Sequence, residues 1–367
     1  MELMAKKLEV GRLMIPVLIV GAGPYGLSLA NYMSAMGQEF KIIGKPMELW
    51  KKHTFSDASL RSEMATSEIA HPQNAYSIQN FRSQNGLDIG KSSERINVRE
   101  YRQYVDWVLA AIPYKIQPEY LSNLSQRGDC FQAELESGEV LKAKQVVIAT
   151  GVAHHLNIPS EFSGARDIMH SYYTQEIEAL QGKKVLVVGA GQSAAEAMEI
   201  CRNNNNQVHW YARQEPRYYS EPLDLPKWIF NLVVKSAGLF RRLPHGLIQY
   251  LFSIFSATTM TPDHKVKLAG VNRFSTLPDL RNYDHVISAT GYNYTLNHMN
   301  FLADELRSSL KMRAAMPRID KNFMSSMRDL YFIGPSTEMF FGPPMKFMIG
   351  SQYVAPRLSK LLSEWRS

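Results

Sequence analysis

Two stretches of the sequence combine glycine spacing with apolar runs in a way that suits the binding of a diphosphate. Residues 17–26 read Val-Leu-Ile-Val-Gly-Ala-Gly-Pro-Tyr-Gly, and residues 185–194 read Val-Leu-Val-Val-Gly-Ala-Gly-Gln-Ser-Ala. In each stretch a β-forming run meets two glycines at the turn, and a helix-forming run follows. This order of strand, tight turn and helix is typical of a dinucleotide site. Two copies therefore predict two bound nucleotides.

The three small positions of each stretch have separate physical roles. The first glycine permits the sharp turn off the strand, and the second lets the backbone approach a pyrophosphate without a Cβ in the way. The third position is small so that the new helix packs closely on the sheet while its N-terminal amides face the anion. The predicted turn residues are Gly21, Gly23, Pro24 and Gly26 in the first stretch and Gly189, Gly191, Gln192, Ser193 and Ala194 in the second.

Each stretch is followed by the further strands that a nucleotide-binding unit needs. A second strand is predicted at residues 40–43 in the first unit and at 208–212 in the second. A later strand of each unit ends in the same tripeptide, Ala-Thr-Gly, at 149–151 and at 289–291. This agreement between two distant regions favours a duplicated, doubly wound α/β unit over glycines that recur by chance.

The end of the second strand in the first unit departs from the usual pattern. Flavin and NAD sites commonly carry Asp or Glu there, because a carboxylate holds the ribose hydroxyls. Gly44 and Lys45 stand at this place in the sequence. The pattern of residues therefore does not indicate how a ribose is held in the first site.

The composition is that of a globular protein with two domains. The chain has 367 residues, of which 45% are hydrophobic and 20% are charged, and this length supports two separate cores. The formal charge of +7, from 41 basic and 34 acidic residues, is compatible with an anionic cofactor, an acidic partner or a negative membrane surface. Because the basic residues are scattered, no binding to nucleic acid is predicted.

The cysteines exclude two kinds of chemistry. The chain has two, Cys130 and Cys201, which are far apart and belong to no paired motif. The sequence thus lacks a Cys-x-x-C redox pair and a cysteine zinc site, and no metal is predicted. Two isolated cysteines fit a reducing compartment.

Residues 1–13 contain no apolar core long enough for a signal peptide, so we expect a cytoplasmic protein.

Several elements are predicted between the first turn and the first Ala-Thr-Gly. The first helix is expected to end at Gly37, and residues 98–112 carry apolar side chains at helical spacing. Residues 114–148 alternate as an antiparallel meander does. Residues 60–67 are polar and mixed, which predicts a loop across the nucleotide site. Trp50 has two interpretations that stay open: it lies beside a flavin ring, or it is a core aromatic.

Residues 220–270 form an insertion inside the second unit. Its apolar runs, 228–234 and 247–254, are too short to span a membrane. They are interrupted by Lys235, Arg241, Arg242 and Pro244. A helical lid over the substrate or a dimer face is favoured for this insertion. Peripheral membrane contact through residues 228–256 is the alternative that is not favoured.

Four motifs of the chain occur together in one known class of proteins. They are the first turn at 21–26, Phe162-x-Gly164 leading to His170-Ser171, the second turn at 189–193, and Ala-Thr-Gly-Tyr at 289–292. In this combination the chain resembles the class B flavoprotein monooxygenases. That class includes the flavin-containing monooxygenases, the Baeyer-Villiger enzymes and the lysine or ornithine N-hydroxylases. The resemblance extends from about residue 16 to about residue 362.

The linker motif differs from the family signature in its spacing. Five residues separate Gly164 from His170, where the signature usually has three. Thr174 stands where an aromatic residue usually follows the histidine, and Tyr172 and Tyr173 are the candidates to replace it. The segments 72–81 and 99–101, followed by Trp107, look most like the N-hydroxylase branch.

The resemblance implies a different cofactor for each site. The implied FAD contacts are Gly21, Gly23, Pro24, Gly26, Trp50, Thr150, Gly151 and Gly334, and the implied NADPH contacts are Gly189, Gly191, Gln192, Ser193, Arg213 and Thr290. Arg213 stands where NAD enzymes place an acid. A contact with the 2′-phosphate of NADPH is therefore favoured over a solvated charge at the end of a strand.

The resemblance also implies a reaction. In that class hydride passes from NADPH to FAD, and the reduced flavin reacts with O2 to give a hydroperoxide. The implied activity is monooxygenation of a small molecule at nitrogen or another soft nucleophile. Arg61 and Ser62 are candidates for stabilising the peroxide, and a purely structural role of their segment is the alternative. Residues 340–347 are implied to lie beside the isoalloxazine.

The fold prediction is an α/β chain with two dinucleotide-binding domains. The FAD domain is predicted at 1–157 and 293–367, and the NADPH domain at 158–292 with the helical insertion at 220–270. Two rival functions stay open: an NADPH-dependent flavin oxidoreductase without oxygen insertion, and a non-catalytic nucleotide-binding sensor. The expected partners are a small-molecule substrate and O2, and a homo-oligomer is compatible with the sequence.

Overall fold

The structure, a computed structural model, describes residues 14–91, 93–218, 227–240, 247, 259–260 and 262–364. We refer to residues 14–157 and 293–364 as the first unit and to residues 158–292 as the second unit, following the predicted domain limits. The described chain forms two mainly parallel sheets, and the strands of the second sheet lie in the chain between strands of the first. This confirms the predicted α/β fold with two dinucleotide-binding units.

The strands in chain order are β1 (Met14–Val20), β2 (Lys41–Ile43), β3 (Ser59–Glu63), β4 (Arg95–Asn97), β5 (Ile116–Gln117), β6 (Leu121–Arg127), β7 (Cys130–Leu135), β8 (Val140–Ile148), β9 (Ile168–His170), β10 (Lys184–Val188), β11 (Gln207–Tyr211), β12 (Arg217–Tyr218), β13 (Thr259–Met260), β14 (Asn272–Phe274), β15 (His285–Ser288), β16 (Met312–Arg313), β17 (Met316–Pro317) and β18 (Leu330–Phe332). The helices are α1 (Pro24–Ala35), α2 (Glu48–Lys52), α3 (Ile78–Gln84), α4 (Val98–Ala111), α5 (Thr174–Glu178), α6 (Gln192–Asn203), α7 (Lys227–Phe240), α8 (Pro262–Lys267), α9 (Asp304–Ser309), α10 (Glu338–Phe341) and α11 (Ser351–Glu364).

The first sheet places the first glycine turn at the carboxyl end of a central strand. Its order is β5-β2-β1-β8-β7-β6, and β18 pairs with β8. β1 runs parallel to β2 and β8, and the last residues of β8 run parallel to β18. The other end of β8 is antiparallel to β7, which pairs with β6. The meander predicted at residues 114–148 is thereby confirmed for β6 to β8, whereas β5, in the same range, pairs parallel with β2. One long strand, β8, serves both the nucleotide-binding sheet and the meander.

The second sheet has the order β14-β11-β10-β15-β9, and all its neighbouring strands are parallel. Its β10 residues Val185–Val188 are buried, as expected for a parallel strand that is covered on both faces. Phe162, which belongs to the linker motif, packs in the core of this unit against Leu186 and Val188. The linker motif therefore contributes to the second core.

The two glycine turns are held by the same backbone hydrogen bonds. The amide of the first glycine donates to the carbonyl of the last residue of the second strand, at 2.8 Å in the first unit and 3.0 Å in the second. The amide of the alanine in Ala-Thr-Gly donates to the carbonyl of the last residue of the first strand, at 2.8 Å in both units. The pairs are Gly21 with Ile43, Ala149 with Val20, Gly189 with Tyr211 and Ala289 with Val188. The repetition seen in the sequence is thus a repetition of backbone geometry.

Two predicted helix features are confirmed. α1 is followed by Met36 and by Gly37 with φ +65°, a left-handed residue of the kind that commonly ends a helix. α4 matches the helix predicted at 98–112, and its buried side chains include Tyr101 and Tyr104. Asn97 caps α4, because its side chain accepts a hydrogen bond from Glu100 N at 2.8 Å.

The prediction of a loop at residues 60–67 is wrong. These residues form most of β3 and a single 3-10 turn, Met64–Thr66. β3 pairs antiparallel with β4, with a register shift between the pairs Ser59–Asn97 and Glu63–Arg95. The partner strand lies about thirty residues further along the chain. A local pattern of mixed polar residues did not reveal this pairing, because a short strand depends on its neighbour more than on its own composition.

The described part of the 220–270 insertion includes a helix that packs on the first unit. α7 contacts α10 and α11 and buries Val234 and Ala237. A Cβ on Gly342 would come within 2.5 Å of the Phe240 ring, so this packing is close.

Apart from residue 247, the apolar run 247–254 lies outside the described residues, and the lid, dimer and membrane roles of the insertion stay predictions. None of the described helices has the length and apolar character that crossing a bilayer requires.

Candidate dinucleotide-binding sites

The first glycine turn opens into a cavity of about 1180 Å³, part of which is open to solvent. Its lining includes the turn itself, the end of β2 with α2, residues 149–154, and residues 334–335 and 346–348. The predicted FAD contacts that line it are Gly21, Gly23, Pro24, Trp50, Thr150, Gly151 and Gly334. The structure therefore brings these residues to one cavity, while Gly26 packs against the turn from the helix side.

The turn is a cradle in which only the second glycine faces open space. Gly21 has φ +113°, and a Cβ there would lie 2.4 Å from Ala149 O. A Cβ on Gly26 would lie 1.9 Å from Gly21 O, whereas one on Gly23 would meet nothing within 4 Å. No side chain caps the N-terminus of α1, and its first turn carries no acidic residue. Uncapped amides beside an open backbone position fit a pyrophosphate.

An acid that we did not predict lines the wall where a ribose would lie. Gly44 has φ +123°, and a Cβ there would come within 3.0 Å of Ala22 N, so no side chain is accommodated at this strand end. Glu48, in the first turn of α2, lines the cavity instead. Its carboxylate lies 3.9 Å from Lys45 Nζ and 3.6 Å from Lys52 Nζ. Glu48 has the chemistry to hold ribose hydroxyls four residues after the usual place.

Trp50 combines the two positions proposed for it. Its ring meets the buried Tyr101 edge to face, with 5.2 Å between the ring centroids, and it also lines the cavity. Its Nε1 is buried and has no hydrogen-bond partner among the described residues. A buried N–H without an acceptor costs free energy. A flavin carbonyl or ring nitrogen is an acceptor of the kind that this N–H lacks.

Tyr25 anchors the returning C-terminal segment, a role that sequence reasoning missed. Its Oη lies 2.8 Å from Met345 O and 2.9 Å from Phe347 O, and its one proton serves either carbonyl. A Cβ on Gly350 would lie 2.0 Å from Tyr25 Oη, so only glycine fits there. Tyr25 belongs to the glycine turn itself. The turn and residues 346–348 thus form one wall of the cavity.

The second turn repeats the construction of the first. Gly189 has φ +133°, and a Cβ there would lie 2.4 Å from Ala289 O. Gly191 caps α6 without a side-chain hydrogen bond, and the first turn of α6 has no acidic residue. Ser193 is exposed in that turn, and Arg213 is exposed just after β11. The structure thus places the turn and the predicted 2′-phosphate contact at the carboxyl ends of adjacent strands.

Two predicted NADPH contacts use their side chains elsewhere. Gln192 Nε2 donates to Ser59 O at 3.1 Å and to Glu196 Oε1 at 2.7 Å, so its amide joins the second unit to β3. The Thr290 hydroxyl lies 2.7 Å from Ser288 Oγ and donates to Asn157 O. Contacts of these two residues with the nucleotide would come from their backbones.

His170 of the linker motif is a satisfied, buried histidine. Its Nε2–H donates to Gly291 O at 2.9 Å, and its Nδ1 accepts a hydrogen bond from Tyr172 N at 3.0 Å. Burial lowers the pKa of His170, which agrees with a neutral ring that donates through one nitrogen and accepts through the other. The residue joins the linker to the second Ala-Thr-Gly motif.

The two predicted catalytic residues, Arg61 and Ser62, lie on β3. Ser62 is not among the residues that line the cavity beside the first turn. The side chain of Arg61 lies outside the described residues. A role of these two residues in stabilising a peroxide stays a prediction, without support from the described lining.

The chain passes between the two units through a pair of antiparallel segments. Leu156 bridges to Tyr292, Asn157 N donates to Gly291 O at 3.1 Å, and Asn293 N donates to His155 O at 2.8 Å. His155 is fully buried here, and neither of its ring nitrogens has a hydrogen-bond partner among the described residues. Burial, together with smaller effects of the nearby His154 and His298, lowers its pKa to about 4.

Comparison with known proteins gives a family and a set of similar folds. A family model described as pyridine nucleotide-disulphide oxidoreductase matches residues 18–334. An indole-3-pyruvate monooxygenase of Oryza sativa subsp. japonica is 24% identical over 325 residues, which are 75% of this chain and 76% of that protein. A ferredoxin–NADP reductase of Thermus thermophilus is 29% identical over 188 residues, 49% of this chain and 48% of that protein.

Among solved structures, an ornithine hydroxylase of Pseudomonas aeruginosa has the same fold. Its TM-score is 0.77 at 18% identity, and the match covers 96% of this chain and 99% of that one. The resemblance to class B flavoprotein monooxygenases, which the motifs predicted, is thereby confirmed in the fold. The match to the Thermus reductase spans about half of each chain.

The cysteines set this chain apart from enzymes that reduce disulphides with a cysteine pair. Cys130 and Cys201 are both free, and Cys201 is buried. Burial raises the pKa of the Cys201 thiol to about 12, so it is not a reactive thiolate at neutral pH.

A pair of alanine substitutions separates the cradle from the packing beneath it. Gly23→Ala is expected to keep the melting temperature of the FAD-free protein while reducing its FAD content, because the new methyl group occupies the open position. Gly26→Ala is expected to lower the free energy of unfolding by about 1–3 kcal/mol through overpacking against Gly21 O. Flavin absorbance and thermal melting measure the two effects. Unchanged FAD affinity in Gly23→Ala would place the pyrophosphate elsewhere.

The buried His155 is expected to make the fold sensitive to acid. Its pKa of about 4 in the folded protein lies below the ordinary value of about 6.5, so the unfolded chain binds the proton more readily. The stability of the fold that depends on a neutral His155 is fully present above about pH 6.5 and is lost as pH falls toward 4. His155→Phe should remove this loss. At pH 8, the difference in melting temperature between the wild type and His155→Phe reports only the change in packing. If the melting temperature of the wild type does not fall relative to that of His155→Phe between pH 7 and pH 5, the assignment is contradicted.

Proposed function

Because the chain belongs to the pyridine nucleotide-disulphide oxidoreductase family and is a flavin-dependent NAD(P)H oxidoreductase, we propose that it is an FAD- and NADPH-dependent monooxygenase. It inserts one oxygen atom of O2 into a small-molecule substrate, at nitrogen or at another soft nucleophilic atom. The similarity to a monooxygenase and to an ornithine hydroxylase supports this class of reaction.

The observation that carries the proposal is the cavity beside the first turn. Beyond the glycines its lining is rich in apolar and aromatic side chains, among them Leu49, Trp50, Tyr172, Phe347 and Met348. Phe347 is 38% exposed, so it presents apolar area that a flat ring system would cover. Side chains of this kind exclude water, as oxygen transfer from a reduced flavin requires.

The residues of the chain bind and orient, and the cofactor supplies the redox chemistry. When bound, FAD supplies an acceptor for the hydride of the nicotinamide and, once reduced, a group that reacts with O2. The amides at the start of α1 would hold its pyrophosphate, and Trp50 Nε1 would donate to one of its acceptors. Tyr172, which lines the cavity, stacks on His53 with 3.8 Å between the ring centroids.

Arg213 selects the nicotinamide cofactor in this proposal. It follows the second strand of the second unit, where its guanidinium is exposed and makes no ion pair with the described residues. A guanidinium at this place forms charge-assisted hydrogen bonds with a 2′-phosphate. NADPH is therefore the proposed hydride donor.

A second candidate is an NADPH-dependent flavin oxidoreductase that passes electrons on without inserting oxygen. One observation favours it: Ser62, one of the two residues predicted to stabilise a peroxide, does not line the described cavity. The similarity to a ferredoxin–NADP reductase over about half the chain also fits this activity.

Replacement of Arg213 tests the choice of cofactor. Arg213→Ala should raise the KM for NADPH by about tenfold or more, since hydrogen bonds to charged groups contribute about 1.5–3 kcal/mol, and should leave the KM for NADH nearly unchanged. Arg281→Ala is a matched control, because Arg281 is an exposed arginine of the same unit that pairs with Asp279. Equal effects of Arg213→Ala on both cofactors would remove this residue from the site.

Oxygen transfer is tested by following both atoms of O2. The FAD-loaded protein with NADPH is expected to consume O2 and to incorporate 18O from 18O2 into at least one member of a panel of amines, amino acids and sulfides. Release of hydrogen peroxide should fall as that product forms. If NADPH is oxidised rapidly but all its electrons are recovered as hydrogen peroxide with every compound of the panel, the protein is an oxidoreductase and the monooxygenase proposal is wrong.

A further inference from the structure

A second cavity, of about 850 Å³, lies between the two units. One wall is formed by residues 57–60 and Arg95 of the first unit, around the β3–β4 pair, and the other by Gln192, Glu196 and Lys267 of α6 and α8. Its lining shares no residue with the cavity beside the first turn. It is therefore separate from the space assigned to FAD.

The first wall presents a cation that lacks an anion. Arg95 is partly buried, and its Nε is inaccessible to solvent and has no hydrogen-bond partner among the described residues. The nearby Asp57 does not supply one, because it pairs with Arg99. Within the part of the chain that the structure describes, Arg95 forms no ion pair. A guanidinium with a buried, unused donor is suited to a carboxylate, which accepts two parallel hydrogen bonds from it.

The second wall presents an acid, Glu196, that forms no ion pair with the described residues, although Lys267 is near enough to act against the rise of its pKa. Glu196 accepts a hydrogen bond from Gln192 Nε2 at 2.7 Å. The neighbouring Lys267 is engaged with Glu199, at 2.8 Å. Burial raises the pKa of Glu196 to about 7, since its charged form is poorly solvated. A ligand ammonium group would supply the missing counter-charge.

Apolar side chains also line this cavity. Phe55 and Leu60 are among them and are 2% and 3% exposed. A ligand in this cavity therefore meets apolar atoms as well as the two charged groups. This arrangement matches a molecule with a short hydrocarbon part and an opposite charge at each end.

We propose that this cavity binds a small zwitterion, with its carboxylate on Arg95 and its ammonium group on Glu196. The ligand belongs to the amino acids or to the amino carboxylates with a longer chain. Because the two charges belong to different units, the bound zwitterion bridges the units. The lining of this site shares no residue with the cavity assigned to FAD, and the binding proposal does not depend on the proposed reaction.

Binding is tested on the FAD-loaded protein in the absence of NADPH, so that turnover does not enter the measurement. Titration calorimetry with glycine, 4-aminobutanoate and 6-aminohexanoate covers a range of charge separations. At least one probe is expected to bind with a stoichiometry of one. Hexanoate and hexylamine, which each lack one charge, are expected to bind at least tenfold more weakly than the best zwitterion.

Two substitutions assign the contacts. Arg95→Met and Glu196→Gln should each weaken binding of the best zwitterion at least tenfold, and Glu196→Gln should weaken hexylamine but not hexanoate. Arg281→Gln, which alters an exposed arginine that does not line the cavity, is the control and should bind as the wild type does. FAD content and melting temperature verify that each variant is folded. Absence of binding by all three zwitterions, or binding that survives both substitutions, would overturn the proposal.

Discussion

The architecture depends on a contact that only glycine permits. In each unit the first residue of the turn lies against the carbonyl at the end of the neighbouring strand, and a Cβ at Gly21 or Gly189 would be 2.4 Å from the carbonyl oxygen of Ala149 or Ala289. The same alanines donate their amides to the last residues of β1 and β10. Turn, first strand and third strand are thus fixed against one another, and the backbone of the second glycine is the part left open to an anion. Both nucleotide sites follow from this one constraint.

Several hydrogen bonds join the two units. The crossing segments are hydrogen-bonded to each other at Asn157 and Asn293, and His170 fastens the linker to Gly291 O. On the opposite side, Gln192 reaches the backbone of Ser59 in the first unit. The bonds of the crossing segments join backbone atoms only and do not depend on side-chain identity, whereas the contacts of His170 and Gln192 do. Together these contacts hold the two glycine turns in their relative position.

The sequence predicted what local periodicity determines and missed what distant contacts determine. Both sheets, the meander and α4 follow from patterns of apolar residues within short windows. β3 was missed because its partner β4 lies about thirty residues away. Glu48 was missed because Gly44, with φ +123°, excludes a side chain at the usual place and moves the acid into the following helix. The roles of Tyr25 and Gln192 depend on residues of other segments, which a motif does not record.

The bond from Tyr25 to the C-terminal segment has a consequence for biosynthesis. Its acceptor, Met345 O, belongs to a residue 320 positions further along the chain, and at about 5–20 residues per second a ribosome needs on the order of 15–60 s to cover that distance. The entire second unit emerges in the interval. The cavity beside the first turn therefore remains without one of its walls until translation is nearly complete, so it takes its final form only after the second unit has been synthesised.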